Sequence, residues 1–515
     1  MGSLIIGATS FLSYIIGLVR DKILAYMFGT SSLADIYNAA FIIPDFILNA
    51  VILGALSGVF IPVFIEHIEG GQSKADELGS IFMTVMSSLV VLVSICAAIF
   101  ADSLVPLTIS LPPELMGQAV AMTRLLLLYP ILVGLSNTFG AVLQSYGHFM
   151  SYGLSSVLYN CGIIVGTLLL VPHFGVLGAG VGVVAGYLAH MGVRLWELRT
   201  VPFRYRPSWN FAHPGFRQIL VLMVPRAITL LTLTLVVSQF SRISTDLGAG
   251  VFSAQNYARN FQSFSITLFG ASIATAALTE FSRFAAKKDM KGFLACFMGV
   301  VSQTLFFSLP AAVGLFVVAL PMLDVFLSGG AFDTRSLELT SNMLMLFSLS
   351  IPLEGLIHVY SRGLYSFKRV YGPMVASLAY AIVAISAMYF GVEMFGAQII
   401  PLSWILGVGV QISVLMLWFH RRAQAPFAWG KLWKNTGKIA LASICMGFVA
   451  WACTLVPFDS IAKLLLAVPA GSAVYALFAY VLRIEEFGRL SFFFARLAAR
   501  VKPRILPSDS SPSNH

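Results

Sequence analysis

Apolar stretches long enough to cross a bilayer recur along this chain about fourteen times, at approximately 3–27, 34–64, 80–103, 117–145, 153–171, 175–193, 218–243, 251–282, 293–320, 337–365, 372–392, 397–419, 439–456 and 460–482. Roughly 20 mainly apolar residues span ~30 Å of hydrocarbon as a helix. Inside hydrocarbon each backbone polar group must find its partner within the protein, so a chain divided this way folds as packed spanning helices. The expected fold is an all-α polytopic membrane protein of about 14 transmembrane helices. Several stretches exceed the minimum, which predicts tilt or overhang. Charged residues make up only 10% of the chain, against about a quarter in a soluble domain.

The net charge of +10 raises nucleic acid as a partner, and the distribution of the basic residues decides against it. With alternate connections on opposite sides, 23 of the 32 Lys and Arg fall on one side, one (Arg335) on the other and 8 within or bordering spans. This is the positive-inside signature, so the side holding both termini is expected to be cytoplasmic. The basic residues are spread over short loops and the tail, with no recognition fold to carry them. All five cysteines lie in apolar spans and none forms a CxxC pair; they read as small core residues. No GxSxG, HExxH or P-loop lysine occurs, so neither catalysis, a metal nor a cofactor is expected. The first span is too long for a signal-peptide core and should be retained. The end of the tail, from Arg504, is polar and expected to be disordered.

Two short similarities separated by about 220 residues suggest a repeat: Leu143–His148 with Leu364–Arg369, and Tyr37-Asn38-Ala39-Ala40 with Gln255-Asn256-Tyr257-Ala258. Six spans per unit leave both units pointing the same way, and parallel repeats place a substrate site between them near mid-membrane. The expected organisation is a first lobe over 1–193, an interfacial linker over 194–217 bearing Trp196, Phe203, Tyr205 and Trp209, a second lobe over 218–419, two further spans to 482, and a cytoplasmic tail over 483–515.

Charge inside the spans is costly, ~2.5–3.5 kcal/mol or more per residue, and usually marks a cavity or a transport route. Arg20-Asp21-Lys22 breaks the first apolar run, and Arg124, Arg226, Arg259 and Arg362 lie in later ones. Arg242 and Lys463 sit nearer span ends, where snorkelling accounts for them. Asn256, Arg259, Asn260 and Ser263 step by three and four residues and share a helix face. That face reads either as a polar seam, with Arg259 neutralised by an acid, or as a cationic patch on a cavity. The scarcity of intramembrane acids (Asp21, Asp35, Asp45 and Glu354 are the main ones) favours the cavity. Glu354, His358 and Arg362 form a stripe at i, i+4 and i+8, either neutralised internally or titrating during a transport cycle. Pro225 beside Arg226, and Pro44 beside Asp45, are candidate bends or ordinary packing features.

Ser13, Gly17, Arg20-Asp21, Phe28-Gly29, Ala34-Asp35, Ala40-Phe41, Pro44, Gly54-Ala55, Ser57, Phe60 and Pro62, with Tyr257-Ala258-Arg259, Gly363, Tyr365 and Pro373, resemble the pattern of the MurJ/MviN family within the multidrug/oligosaccharidyl-lipid/polysaccharide exporter superfamily. The resemblance implies two six-helix lobes around a central cationic cavity, with the last two spans forming a groove for a lipid tail. It implies lipid II, the undecaprenyl-pyrophosphate-linked peptidoglycan precursor, as substrate, with Arg20 and Arg259 engaging the pyrophosphate and Asp35 as a functional acid. Arg offers paired donors for such a group. It further implies a bacterial inner-membrane location and cell-wall synthesis proteins as partners. The chain departs from the pattern at Tyr14 and Leu48, where the family carries arginines, so Arg124, Arg226 and Arg362 become candidate replacements. Spans 7 and 11 lack acids, which argues against a sodium site. Another lipid-linked oligosaccharide exporter and a multidrug or cation antiporter are the alternative transport readings; an antiporter should line its cavity with acids and aromatics rather than arginines.

Overall fold

The computed structural model describes residues 2–53, 59–148, 150–367, 369–423 and 429–488. Gly54-Ala55, Ser57, Lys368 and the tail beyond Arg504 lie outside the described residues. The first part of the chain forms α1 (Gly2–Phe28), α2 (Ser32–Ala39), α3 (Ile42–Leu48), a π-helical segment (Asn49–Leu53), α4 (Ile61–Glu69), α5 (Gln72–Ile99), the short α6 (Ala101–Leu104), α7 (Pro113–Leu126), α8 (Leu128–Ser145), α9 (Met150–Phe174) and α10 (Val176–Leu198). The second forms α11 (Pro214–Asp246), α12 (Val251–Ile266), a second π-helical segment (Thr267–Ala271), α13 (Ser272–Ala286), α14 (Met290–Leu327), α15 (Thr334–Ser348), α16 (Ile351–Ser366), α17 (Tyr371–Phe395), α18 (Ile399–Ala423), α19 (Trp429–Thr454) and α20 (Ser460–Val481). The described residues contain no β-strand beyond one isolated bridge between Gly329 and Phe332.

Among them, 11 helical stretches are long and apolar enough to cross a membrane, or 12 when the bent pair α15–α16 counts as one span. Length and hydropathy among the described residues thus do not confirm the expected fourteen. The differences have physical causes. Helices α15 and α16 meet at 46°, and residues 371–421 form one 51-residue stretch that turns at Gly396 so that α17 packs along α18.

Burial divides the helices into two main bodies. One core runs from α1 to α10 and contains Phe60, Phe64, Phe82, Met122 and Leu143. In α11–α18, one core gathers around Phe240, Ala254, Phe347 and Trp404, and another around Phe281, Phe297, Tyr360 and Phe419. Helices α19 and α20 pack against α14 through Phe306, Ile439 and Ala479. Helix α11 belongs to both bodies: Phe216, Ile219 and Met223 enter the first core, whereas Val236, Phe240 and Ile243 enter the second. The Arg194–Arg217 segment takes in the end of α10 at Leu198 and the start of α11 at Pro214. Residues past α10 dock on α5, with Phe203 buried against Gly79 and the backbone of Arg204, Arg206 and Ser208 donating to Asp76, Ser80 and Thr84.

The repeat is visible in backbone detail. The π-helical segments at 49–53 and 267–271 occupy equivalent places, as the spacing of the Tyr37 and Gln255 similarity requires. The Leu143 and Leu364 carbonyls each accept from the amide five residues on, at 2.9 and 3.0 Å, the closing bond of a Schellman turn. Within the first body, α9 and α10 meet through glycine: a Cβ on Gly166 would stand 2.2 Å from Gly182 Cα, and one on Gly162 2.3 Å from Gly186 Cα. Small residues at such a crossing let backbones approach closely in lipid.

Candidate functional site

Between the two bodies lies a polar centre built on α1. Arg20 donates from Nε and Nη2 to Asp21 Oδ1 at 3.0 and 2.7 Å, and from Nη1 to Asn160 Oδ1 of α9 at 2.9 Å. Asp21 Oδ2 accepts from Asn260 Nδ2 of α12 at 3.1 Å, so the pair reaches across to the second body. The side chains are 22% and 10% exposed. A partly buried ion pair of this kind is tolerable only with further hydrogen bonds, and the two asparagines supply them. Arg20, Asp21 and Asn260 separate two spaces. One, of about 190 Å³, is lined also by Tyr37, Tyr159, Asn256 and Tyr257. The other, of about 380 Å³, is lined by Ser13, Tyr14, Asn160, Ser263 and Phe264. Three of the five guanidinium N–H groups are used in these bonds. Phosphate oxygens entering either space would meet a bidentate donor, amides and phenols.

At the end away from the basic loops the two bodies are joined. Asp35 on α2 accepts from the backbone amides of Gly250 and Ser253 at 2.7 Å each and from the Ser253 hydroxyl. It therefore caps α12, where a carboxylate meets the positive end of the helix dipole. Gly250 makes this possible: its φ is +83°, and a Cβ there would stand 2.1 Å from the Thr30 carbonyl. Thr30 bonds Ser336 hydroxyl to hydroxyl at 2.8 Å, the Tyr26 carbonyl accepts from the Ala331 amide at 2.8 Å, and Lys22 donates to the Ser328 carbonyl. Asp35 in this state is a latch between bodies and does not line either space.

The face predicted on α12 divides. Asn256, Asn260 and Ser263 turn toward the central spaces, whereas Arg259 turns into the second body. Its guanidinium stacks 3.8 Å from the Trp404 ring centroid and donates to Gln262 Oε1 at 2.5 Å and Glu354 Oε1 at 3.2 Å. Glu354 Oε1 also accepts from Gln262, Ser350 and Trp404 at 2.9, 2.7 and 2.9 Å. Arg259 and Arg20 are thus not brought together here. Cation–π stacking and a four-donor carboxylate compete successfully for the longer side chain.

Arg124 pairs with Asp102 at 2.6 Å, exposed and away from the centre. Arg362 donates to Thr275 Oγ1 at 2.7 Å and lies 3.4 Å from His358 Nδ1. Arg226, exposed on α11, interacts with Tyr365 and Arg362. Sequence reasoning missed Asn160 and the tyrosines Tyr37 and Tyr159; the signal available was polar side chains in otherwise apolar spans. A third space, about 510 Å³ and mostly apolar, runs between α14, α19 and α20 and is lined by Phe306, Phe307, Pro310, Met446 and Tyr475.

The sequence and the fold resemble those of known proteins. The chain is 25% identical over 463 residues to a lipid II flippase MurJ of Burkholderia cenocepacia, covering 87% of this chain and 89% of that protein. It is 26% identical to a probable lipid II flippase MurJ of Thermotoga maritima, covering 93% and 95%. Its fold matches a structure titled lipid II flippase MurJ, inward closed conformation, with TM-score 0.79 and 20% identity over 93% of this chain and 98% of that one. It also matches an inward-facing multidrug resistance MATE transporter of the MOP superfamily, with TM-score 0.68 and 16% identity over 82% and 96%. The sequence model described as lipid II flippase MurJ aligns with residues 24–466, from the end of α1 to within α20, and the chain belongs to that family.

Proposed function

We propose that this chain flips lipid II from the cytoplasmic to the outer leaflet of a bacterial inner membrane by alternating access, with both termini and the basic loops in the cytoplasm. The observation that carries the reading is the Arg20–Asp21 pair, held by Asn160 and Asn260 between two separately packed bodies. Arg20 binds the pyrophosphate, with Asn256, Asn260 and Ser263 around it, and Asp21 keeps the guanidinium oriented while no anion is bound. The bodies correspond to lobes over 1–193 and 218–419, joined by the 194–217 linker, and the polyprenyl tail occupies the groove beside α19 and α20. Arg226 and Arg362 supply positive charge toward the cytoplasmic mouth, replacing the cations missing at Tyr14 and Leu48. Nothing in the cycle requires a covalent step. An inside-negative potential favours outward movement of an anion by ~2.3 kcal/mol per charge per 100 mV, which biases transport without nucleotide hydrolysis. Cell-wall synthesis proteins that consume the flipped precursor are the natural partners.

The test is rescue of a bacterium depleted of its own lipid II flippase. Growth should return with this chain and be lost with Arg20→Ala at equal membrane abundance. Rescue by Arg20→Ala overturns the assignment of the anion to this centre.

A further inference from the structure

We infer that the larger of the two central spaces, about 380 Å³, is a sugar subsite. It takes a pyranose joined to the phosphate at Arg20, with Tyr14 and Phe264 as the rings against which that sugar lies. The inference rests on the reading that a lipid-linked pyrophosphoryl saccharide binds at Arg20, and adds where its saccharide goes.

Two rungs join α1 to α12 across this space. One is polar, with Asn260 donating to Asp21 at 3.1 Å. The other is aromatic: Tyr14 and Phe264 meet at 66° with ring centroids 5.1 Å apart. Tyr14 lies seven positions before Asp21, and Phe264 four positions after Asn260. At 1.5 Å of rise per residue the rungs stand roughly 6–10 Å apart, the length of one sugar ring with its anomeric phosphate. Gly17 lines the α1 wall between them, and a Cβ there would meet nothing within 4 Å, so the bay between the rungs is open on that side.

The rings are not a covered staple between the bodies. Tyr14 stays 38% exposed and Phe264 44% although they touch, and in an edge-to-face pair at least one ring keeps both faces free of its partner. Each ring is flanked by a hydroxyl, since Ser13 precedes Tyr14 and Ser263 precedes Phe264 on the wall of the same space. Asn160 reaches Ser13 Oγ from Nδ2 at 3.4 Å while its Oδ1 accepts from Arg20, which ties the polar groups beside the rings to the guanidinium. A pyranose asks for this combination: its axial C–H groups form an apolar face for a ring, and its hydroxyls need a few placed donors and acceptors. The opposite wall is apolar, with Leu18, Met322 and Phe326, so isoprene units of the substrate's own tail are the competing occupant. They would offer these hydroxyls and amides no hydrogen-bond partner, and the mostly apolar groove beside α19 and α20 suits them better.

Affinities of the purified full chain in lipid nanodiscs for lipid II and for undecaprenyl pyrophosphate, which has no sugar, test the inference. Tyr14→Leu and Phe264→Leu keep apolar bulk and lose a ring face. Each should weaken lipid II binding about five- to tenfold and leave undecaprenyl pyrophosphate binding unchanged. Tyr14→Phe, which keeps the ring, should bind both compounds as the unaltered chain does, and a Tyr14→Phe chain as weak as Tyr14→Leu overturns the assignment to the ring. Equal weakening of both compounds in the leucine variants places the tail in this space and overturns the inference, as does unchanged lipid II binding. Should one leucine variant not be recovered folded, the other decides. An unaltered chain that binds neither compound overturns the flippase reading and this inference with it, an outcome distinct from binding both and losing neither selectively.

Discussion

At the scale of single residues, Arg20 and Arg259 show how one side-chain type takes two roles. Arg20 stands between the bodies with its donors shared among Asp21 and Asn160. Arg259 is stacked on Trp404 and tied to Glu354 inside one body. Arg20→Lys keeps the charge but loses the planar fork. In a reconstituted flipping assay it should lose ~10- to 100-fold in rate, equivalent to ~1.5–3 kcal/mol for a charged hydrogen bond. Glu354→Gln should act differently, lowering stability by ~2–4 kcal/mol because Arg259 is left without its acid. The double change Arg259→Met with Glu354→Gln should be milder than the sum of the two singles, measurable by thermal unfolding in detergent. Charge inside an apolar run is conspicuous in a sequence, and Arg20, Asp21 and Glu354 were legible for that reason. The direction of Arg259 was not: stepping by three and four places its Cα on the Asn256 face, but a long side chain can leave that face for a ring and a carboxylate on neighbouring helices. Tyr159 and Asn160 carried no charge to mark them.

Among the elements, the connection between α2 and α12 is the most exposed to a single change. Asp35 satisfies amides at the start of a helix more than 200 positions away. Asp35→Ala should weaken closure of the end away from the basic loops by ~1–2 kcal/mol, the worth of a helix cap. Distances between spin labels on Ser31 and Asp333 should then show a larger open population. Asp35 was legible as an intramembrane acid, but its partners were not, because no local pattern announces a cap supplied by another span. The α9–α10 contact has the opposite character, since glycines at four-residue spacing in adjacent apolar spans are readable in the sequence. Gly166→Leu should separate the two backbones and cost ~1–3 kcal/mol or more, seen as a lower melting temperature with a disturbed first body. The two π-helical segments had no sequence signature, yet their equivalent places in the repeat mark the second span of each unit as the place where helical geometry is interrupted, which is frequent at functional sites.

For the whole molecule, closure at one end follows from a small set of bonds joining Tyr26, Thr30 and Asp35 to Ala331, Ser336, Gly250 and Ser253. A disulfide introduced by Thr30→Cys with Ser336→Cys should hold that end shut. Transport should stop under oxidation and return on reduction, while each single variant remains active. The class and the basic asymmetry were readable from hydropathy and charge, because those are properties of long segments, and the repeat from two short similarities. The span count was less so, since the bend between α15 and α16 and the run over 371–421 blur segment limits. The shared helix α11 carries a further consequence. Phe216, Ile219 and Met223 plug one core while Val236, Phe240 and Ile243 complete another, so a break within 214–250 would leave one core open. A break between Trp209 and Asn210 would cross no core helix. Two polypeptides made together, 1–209 and 210–515, should therefore assemble without a covalent link, the second fragment carrying the stopper that the first one lacks.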